Sequence, residues 1–268
     1  MTASTKPRSS NPTGETATRA QAGKGKPSAV RDDREASVGR WMWEWTKSIT
    51  VAFALFLLVR TFVVEAFQIP TGSMENTLLV GDFLLVNKMV YGAEIPGTDV
   101  RLPSLAPPDH GDIVVFEPPP RAQQAAHTNY VKRVVGLPDD TLQMIDGVLY
   151  RNGSEVVEPY VKHSRPYEDP RSPQFDWQRS YLLGDGRAAS DYRPTRDNWG
   201  PITVPPDSYF VMGDNRDNSE DSRYWGFVPT ESVKGRPLVI YFSYERDKLV
   251  PFPWLTEIRW GRLLDPIR

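Results

Sequence analysis

The chain of 268 residues contains 25 prolines, no cysteine and a formal net charge of −2, and 39% of its residues are hydrophobic. The lack of cysteine excludes disulfides, zinc-thiolate sites and a cysteine nucleophile. The prolines argue against an all-helical fold, because proline interrupts helix interiors and central strands alike, so we expect short strands and long loops.

Charge is distributed unevenly, and the N-terminal segment differs from the rest. Residues 1–40 hold eight Lys and Arg against four Asp and Glu, with almost no large apolar side chains. Such a segment cannot bury enough surface to fold, so we predict a disordered basic tail over 1–40. A basic tail ahead of an acidic remainder indicates membrane orientation before nucleic-acid binding, and we expect no nucleic-acid partner.

The only long apolar run follows this tail. It begins with three tryptophans, Trp41, Trp43 and Trp45. The uncharged stretch Ser48–Val59 has 12 residues and is equally consistent with a buried helix. Thr46–Val64, however, approaches the roughly 20 residues that span a bilayer, provided that Arg60 extends to the headgroups. We predict one transmembrane helix over 41–65, with the tryptophans at the interface.

The orientation follows from the basic residues on the N-terminal side of this helix, which are Arg31, Arg34, Arg40 and Lys47. Positive charge stays on the cytoplasmic side, so we predict a single-pass protein of the cell membrane with a cytoplasmic tail and residues 66–268 outside. A cleavable signal peptide is the alternative, because Val64 and Ala66 resemble the small residues at −3 and −1 of a cleavage site. The mature chain would then begin at Phe67.

Residues 66–268 alternate strand patterns with turn residues. LLVGDFLLVNKMVYG, HGDIVVFEPP and NYVKRVVGLP each contain Val-, Ile- or Phe-rich runs beside turn residues. MIDGVLYRNGSEV predicts a hairpin, with Asp146 and Gly147 suited to a type I′ turn. Arg, Asp, Pro and Ser dominate 163–206, which we predict to be a polar excursion on the surface. The expected fold is mainly β, an antiparallel sheet domain over 66–268 tethered by one N-terminal transmembrane helix.

The segment QIPTGSMEN, residues 68–76, follows the apolar run directly. Pro70 and Gly72 favour a tight bend, since proline restricts its own φ and glycine adopts conformations closed to other residues. Ser73 in such a bend is either ordinary turn chemistry or a nucleophile.

A serine nucleophile needs a base. His110 and His127 have no distinguishing context, and with His163 they lack HExxH-like spacing, so we expect neither a metal site nor a cofactor. Lys132 lies in an apolar strand pattern, where burial would lower its pKa and allow it to accept a proton. Strand alternation puts Arg133 on the opposite face, so the pattern alone does not decide which cation faces inward. Chemistry favours lysine, because guanidinium stays protonated.

A third polar stretch, GDNRDNSEDSR, occupies residues 213–223 between two strand patterns. Clusters of Asp, Asn and Ser commonly cap their own turns, and a loose Ca²⁺ site is an alternative. The stretch lacks the ligand spacing and terminal Glu of an EF-hand loop.

Together these stretches resemble the bacterial type I signal peptidases, membrane-anchored serine proteases that use a Ser/Lys dyad. FQIPTGSMENTLLVGDFLLVNK, HGDIVVF, YVKRVVGLP and GDNRDNSEDSRYWGFVP occur in that family's order, and the resemblance covers roughly residues 48–265. It implies that Ser73 is the nucleophile and that Lys132 is the general base. It also implies that Ser219 orients Lys132 by a hydrogen bond, while Asp221 and Arg223 brace the loop.

The resemblance further implies an oxyanion hole formed by the Ser73 N–H and the Thr71 hydroxyl. Three positions depart from the family pattern. Thr71 stands where many members have Ser, and its additional methyl group can alter where the hydroxyl points. Asp139 replaces a Gly in a turn, which puts that turn's geometry in question, and Asn76 stands where Pro is common.

The expected substrates are secreted preproteins with small residues at −1 and −3, which share one face of an extended strand. A protease that pairs this peptide along a strand edge can accommodate both in shallow pockets. The resemblance implies that the lining residues are Phe67, Ile69, Met74 and Val131. We expect a monomer in the lipid bilayer that removes signal peptides through an acyl-enzyme. The alternatives are a LexA-like self-cleaving Ser/Lys protease and a membrane-anchored, non-catalytic binding module.

Overall fold

The computed structural model describes residues 33–95, 97–98, 100–122, 129–165, 167–183 and 191–267, with side chains from residue 38 onward. The chain divides into two units, Met1–Thr50 and Val51–Arg268. Most of the predicted disordered tail, residues 1–32, lies outside the described residues.

The first element is a helix, α1, Asp33–Phe62. Its Val38–Phe62 section is long and apolar enough to cross a membrane, and Phe53, Leu55 and Phe56 within it are exposed. The helix begins at Asp33 rather than at residue 41, because residues 33–40 contain no proline and include good helix formers. It ends before residue 65, since pairing of the next segment with a neighbouring strand already begins at Val64.

The remaining elements are mostly strands. Their bounds are β1 Val64–Gln68, β2 Asp82–Asn87, β3 Ile113–Phe116, β4 Tyr130–Gly136, β5 Thr141–Ile145, β6 Val148–Arg151, β7 Ser154–Glu155, β8 Trp199–Thr203, β9 Ser208–Met212, β10 Val228–Pro229, β11 Val233–Ser243 and β12 Asp265–Pro266. Two short helices are α2 Ser222–Trp225 and α3 Pro253–Thr256, and 3₁₀ turns cover Gly72–Met74, Pro173–Tyr181, Arg216–Asn218, Thr230–Ser232 and Trp260–Arg262.

Among the described residues the strands form an eight-stranded sheet, ordered β1-β2-β11-β3-β4-β9-β10 with β12 against β11, and a four-stranded sheet, ordered β7-β6-β5-β8. The pairings in both sheets are antiparallel. The predicted fold class, a mainly antiparallel β domain behind one N-terminal apolar helix, is confirmed. β1 is the terminal strand of the larger sheet, and among the described strands only β2 pairs with it. The outer edge of β1 can therefore pair with a further strand.

The predicted hairpin is also confirmed. β5 and β6 are joined by Asp146 and Gly147, whose φ values are +47° and +79°. Two consecutive positive φ angles are characteristic of the type I′ turn, whose twist matches that of paired strands.

Buried apolar side chains hold the sheets together. One cluster joins the smaller sheet to β4 and β9, with Leu142 and Ile202 packed near Phe210. Another lies beneath the segment that follows β1 and includes Leu78 and Leu84. Fully burying a side chain of this size stabilises the fold by about 1.5–3 kcal/mol, so this second cluster gives the segment around Ser73 a firm base.

Candidate active site

A groove of about 410 Å³ runs beside β1 and the start of β4. It is lined by residues 67–74 and 129–132, with Asn218 and Glu220. The four predicted substrate-binding residues, Phe67, Ile69, Met74 and Val131, all line this groove and belong to one apolar cluster. The structure therefore brings the predicted lining residues together with Ser73 and Lys132.

Ser73 and Lys132 are in direct contact. The Lys132 Nζ donates a hydrogen bond to Ser73 Oγ at 2.7 Å and another to the Val131 carbonyl at 3.2 Å. Lys132 is only 5% exposed. Burial, which disfavours the ammonium form, lowers the pKa of Lys132 to about 8, although the carboxylates of Asp221 and Asp214 act in the opposite direction. A substantial neutral fraction therefore exists at mildly alkaline pH.

Local structure positions Ser73 at the groove. The serine is the middle residue of the 3₁₀ turn Gly72–Met74, and Met74 is buried beneath it. The Ser73 carbonyl accepts a hydrogen bond from the Asn215 N–H at 3.1 Å, and the Asn215 side chain donates to the Gly72 carbonyl at 3.2 Å. The turn is thus fastened to the 213–223 loop.

The predicted oxyanion donors lie at the start of the same turn. Thr71 precedes it in an extended conformation, lines the groove, and its side chain makes no capping hydrogen bond. The first N–H groups of a helical turn lack acceptors within the turn. Thr71 and Ser73, which carry the two predicted donor groups, both line the groove.

Asp221 and Arg223 form a buried bidentate pair. The guanidinium donates from Nε and Nη2 to the two carboxylate oxygens, each at 2.8 Å, and Asp221 also accepts the Gly213 N–H at 3.1 Å. Burial works to raise the pKa of Asp221, but the Arg223 guanidinium outweighs it and lowers that pKa. Arg223 further donates to the Arg216 carbonyl at 2.6 Å, so the pair ties together both ends of the segment 216–223.

Ser219 departs from expectation in one respect. Its buried hydroxyl interacts with the Asp221 carboxylate and helps to lower the pKa of that group. The expected bond to Lys132 is not formed in this structure, because Lys132 Nζ donates to Ser73 and Val131 instead. Ser219 nevertheless lies in the same region, because a Cβ added to Gly213 would clash with Ser219 Oγ and approach the Ser73 carbonyl to 2.5 Å. That crowding requires glycine at position 213.

An ion pair that the sequence did not indicate lies on the other face of β4. Arg133 donates to both oxygens of Asp214, at 2.9 and 2.7 Å, and to the Gly111 carbonyl at 2.7 Å. The Thr77 hydroxyl donates to the same carboxylate at 2.5 Å. Both cations of β4 are therefore buried, Lys132 toward Ser73 and Arg133 toward Asp214. The adjacent Lys-Arg pair in a Val-rich strand was the available signal, but it does not identify Asp214 as the partner.

The segment 163–206 does not lie wholly on the surface. Phe175 is fully buried and β8 belongs to the smaller sheet. From the 3₁₀ turn Pro173–Tyr181, Trp177 Nε1 and Gln178 Nε2 donate to the Arg223 carbonyl at 3.0 and 3.1 Å. This segment therefore supports the loop that carries Asp221 and Arg223.

Two of the departures from the family pattern adopt left-handed backbone conformations. Asp139 has a φ of +69° and Asn76 a φ of +97°. Aspartate and asparagine tolerate such angles better than most residues other than glycine, so Asp139 preserves a turn that glycine would also form. Proline, with φ near −65°, does not fit the conformation that Asn76 adopts here.

The histidines occupy other places. His110 Nε2 lies 2.6 Å from an Asp140 oxygen, and His163 Nδ1 lies 3.2 Å from Asp217; neither lines the groove. His127 lies outside the described residues. Within the described ranges no group of three or more acidic or histidine side chains is arranged to hold a metal ion.

Comparison with known proteins relates this chain to the signal peptidases. The family model described as "Signal peptidase, peptidase S26" matches residues 42–242. Signal peptidase I of Pseudomonas aeruginosa is 38% identical over 232 residues, covering 80% of this chain and 78% of that protein. Signal peptidase I of Pseudomonas fluorescens is 38% identical over 227 residues, with the same coverage. A solved signal peptidase I structure from Enterococcus faecalis V583 is 33% identical and covers 50% of this chain and 98% of its own, with a TM-score of 0.32.

Proposed function

Because the chain belongs to the signal peptidase family, peptidase S26, we propose that Ser73 and Lys132 are the residues with which it cleaves signal peptides. The protein is a membrane-bound serine signal peptidase whose substrates are secreted preproteins. The single observation that carries the residue assignment is the 2.7 Å contact between Lys132 Nζ and Ser73 Oγ in an apolar-floored groove.

In the proposed mechanism, neutral Lys132 accepts the Ser73 hydroxyl proton as Oγ attacks the carbonyl of the scissile peptide bond. The Ser73 N–H and the Thr71 hydroxyl stabilise the oxyanion. Protonated Lys132 then gives its proton to the departing amine, which leaves an acyl-enzyme on Ser73. A water molecule, deprotonated by the same lysine, hydrolyses the ester and releases the signal peptide.

Three further residues support this dyad in the proposal. Asp221 and Arg223 keep the 213–223 loop rigid through their bidentate pair. Ser219 is buried close to the Ser73 carbonyl, on the same side of Gly213, so its hydroxyl can orient Lys132 once the Ser73 proton has moved.

Substrate selection in the proposal depends on the apolar part of the groove. A peptide extended between the open edge of β1 and the start of β4 would present alternate side chains to one wall. Phe67, Ile69, Met74 and Val131 leave shallow apolar space there, which suits small side chains at −1 and −3. Peptides with large residues at these positions would clash with the buried Met74 and Ile69.

The finer membrane arrangement is also part of the proposal. Helix α1 crosses the bilayer once, residues 1–40 form a cytoplasmic tail, and residues 66–268 form an extracytoplasmic domain that acts as a monomer. The charge imbalance of the tail and the span Val38–Phe62 support this arrangement. No comparison favours a non-catalytic binding module or a LexA-like self-cleaving protease.

The test is cleavage of a preprotein by full-length enzyme in detergent. Ser73→Ala and Lys132→Ala should each lower kcat/KM by at least about 10³-fold, because the two side chains act as one unit. Ser154→Ala and Lys248→Ala are matched controls at exposed positions outside the groove and should retain wild-type activity. A Ser73→Ala enzyme that cleaves normally would rule out the dyad.

A further inference from the structure

A second cavity, of about 300 Å³, adjoins the groove. Asn129, which immediately precedes β4, lines both cavities, so the two are neighbours at this point. Apart from Asn129, the second cavity is lined by three acidic and three basic side chains, whereas the groove is largely apolar. The six charged residues are Glu65, Glu94, Glu117, Lys88, Arg101 and Lys234.

Strand alternation connects the two spaces on both walls. On β1, Phe67 lines the groove and Glu65, two residues earlier, lines the charged cavity. On the other wall, Val131 lines the groove and Asn129, again two residues earlier, lines the charged cavity. Because side chains on one face of a strand recur every second residue, the face that contacts −1 and −3 continues into the charged cavity at the next step upstream.

The charged side chains are already paired with one another. Lys88 Nζ lies 3.2 Å from Glu65. Glu94 accepts from Arg101 at 2.7 Å and from Lys234 at 2.8 Å, and Lys234 also lies 3.3 Å from Glu117. Partial burial works to raise the pKa of Glu94, but hydrogen bonds from Lys234 and Arg101 outweigh it and lower that pKa. The cavity is therefore lined by ion pairs, and its acidic and basic side chains are equal in number.

We propose that this cavity is a subsite for the signal-peptide side chain at about −5, and that it accepts polar side chains while disfavouring large apolar ones. A Gln or Ser side chain can exchange hydrogen bonds with the ionic wall. A Leu or Phe side chain would displace water from these charges without replacing the lost hydrogen bonds, which is costly. The subsite would thereby keep the apolar segment of a signal peptide at a distance from Ser73. This inference rests on the proposed function and deepens it.

The first experiment compares preproteins that differ only at −5, using the full-length wild-type enzyme in detergent. Substrates with Gln or Ser should be cleaved with a kcat/KM about tenfold above that of the Leu or Phe substrate, mainly through KM. Equal values for all four substrates would overturn the subsite. Failure of the wild type to cleave any of them, or normal cleavage by Ser73→Ala, would instead contradict the proposed function.

The second experiment changes the cavity. The double variant Glu65→Leu/Lys88→Leu replaces one ion pair by apolar side chains and should reduce the preference for Gln over Leu at −5 to about threefold or less. Discrimination at −1 should stay as in the wild type. The matched control, Asp176→Leu/Arg179→Leu, removes a partly exposed pair of 3.3 Å in the turn Pro173–Tyr181, outside both cavities, and should leave the full −5 preference.

Folding is checked by thermal unfolding of each variant in the same detergent. If the double variant proves unfolded, the single change Lys234→Met tests the same cavity, because Lys234 contacts both Glu94 and Glu117. An unchanged −5 preference in a folded cavity variant would overturn the inference.

Discussion

Lys132 illustrates how burial changes the chemistry of a single residue. In water its ammonium form would persist well beyond neutral pH, and it would be a poor base. Within the groove it is 5% exposed and lies 2.7 Å from Ser73 Oγ. Removal from water disfavours the charged form and brings the pKa to about 8. Arg133, one residue later and as deeply buried, remains charged and is paired with Asp214.

The pH dependence of cleavage tests this assignment. In the proposed mechanism neutral Lys132 is the active form, and its fraction falls as pH drops below the pKa of about 8. We predict that kcat/KM falls about tenfold for each pH unit below that value and levels off above it. The measurement is a pH–rate profile with a soluble peptide substrate at constant ionic strength. A profile that stays flat from about pH 6 to about pH 9, the range in which a base of this pKa titrates, would contradict Lys132 as the base.

At the scale of secondary-structure elements, β4 connects the groove to the interior. Its successive residues Lys132 and Arg133 face opposite sides, toward Ser73 and Asp214. The 213–223 loop contacts both sides, because Asp214 belongs to it and its Asn215 N–H donates to the Ser73 carbonyl. A disturbance on the Arg133 side should therefore reach Ser73 through this loop.

Substitution of Arg133 tests that connection. Arg133→Met removes the partner of the buried Asp214 carboxylate and should lower the free energy of unfolding by about 3–5 kcal/mol. Arg133→Met/Asp214→Asn, which also removes the uncompensated charge, should recover part of this loss. The measurement is denaturant unfolding followed by tryptophan fluorescence in detergent.

Arg179→Met is the matched control, since its pair with Asp176 lies at the surface, with side chains 30% and 51% exposed, and surface pairs contribute about 0–1 kcal/mol. If Arg133→Met were no more destabilising than Arg179→Met, the buried pair would not have the stabilising role inferred for it.

At the scale of the whole molecule, sequence order links the membrane helix to the groove. Helix α1 ends at Phe62 and β1 begins at Val64, so a single residue separates the span from a wall of the groove. Ser73 follows in the next turn of the chain. A preprotein substrate is itself attached to the membrane by its signal peptide, so a short connection of this kind would favour the encounter of enzyme and cleavage site.

The absence of cysteine makes the orientation directly testable. Single cysteines are introduced by Ser28→Cys, which precedes the span Val38–Phe62, and Asp247→Cys, at an exposed position after β11. A membrane-impermeant maleimide applied to intact cells should label Asp247→Cys at once and Ser28→Cys only after permeabilisation. Labelling in the reverse pattern would contradict the proposed orientation, and labelling of both in intact cells would contradict a single pass.

Much of the fold was determined by the sequence itself, because the deciding interactions are local. Alternating Val, Ile and Phe predicted antiparallel strands, and Asp146-Gly147 predicted the type I′ hairpin, since both depend on the conformations of neighbouring residues. The motif order similarly brought Ser73 and Lys132 together as a hypothesis. Asp139 and Asn76 depart from the family pattern, and both adopt left-handed backbone conformations. Aspartate and asparagine tolerate these conformations, but the sequence pattern indicates such a preference only weakly.

The tertiary structure alone decided which groups meet across long separations. Strand alternation assigned Lys132 and Arg133 to opposite faces of β4, but it did not identify the residues that cover each face. Only the folded chain shows that both side chains are buried. Asp214 lies 81 residues from Arg133, and Ser73 lies 59 residues from Lys132. The position of the buried Ser219 hydroxyl and the ionic cavity beside Asn129 likewise depend on packing between distant parts of the chain. Local preferences carry no information about such contacts, because these depend on where the whole chain places each surface.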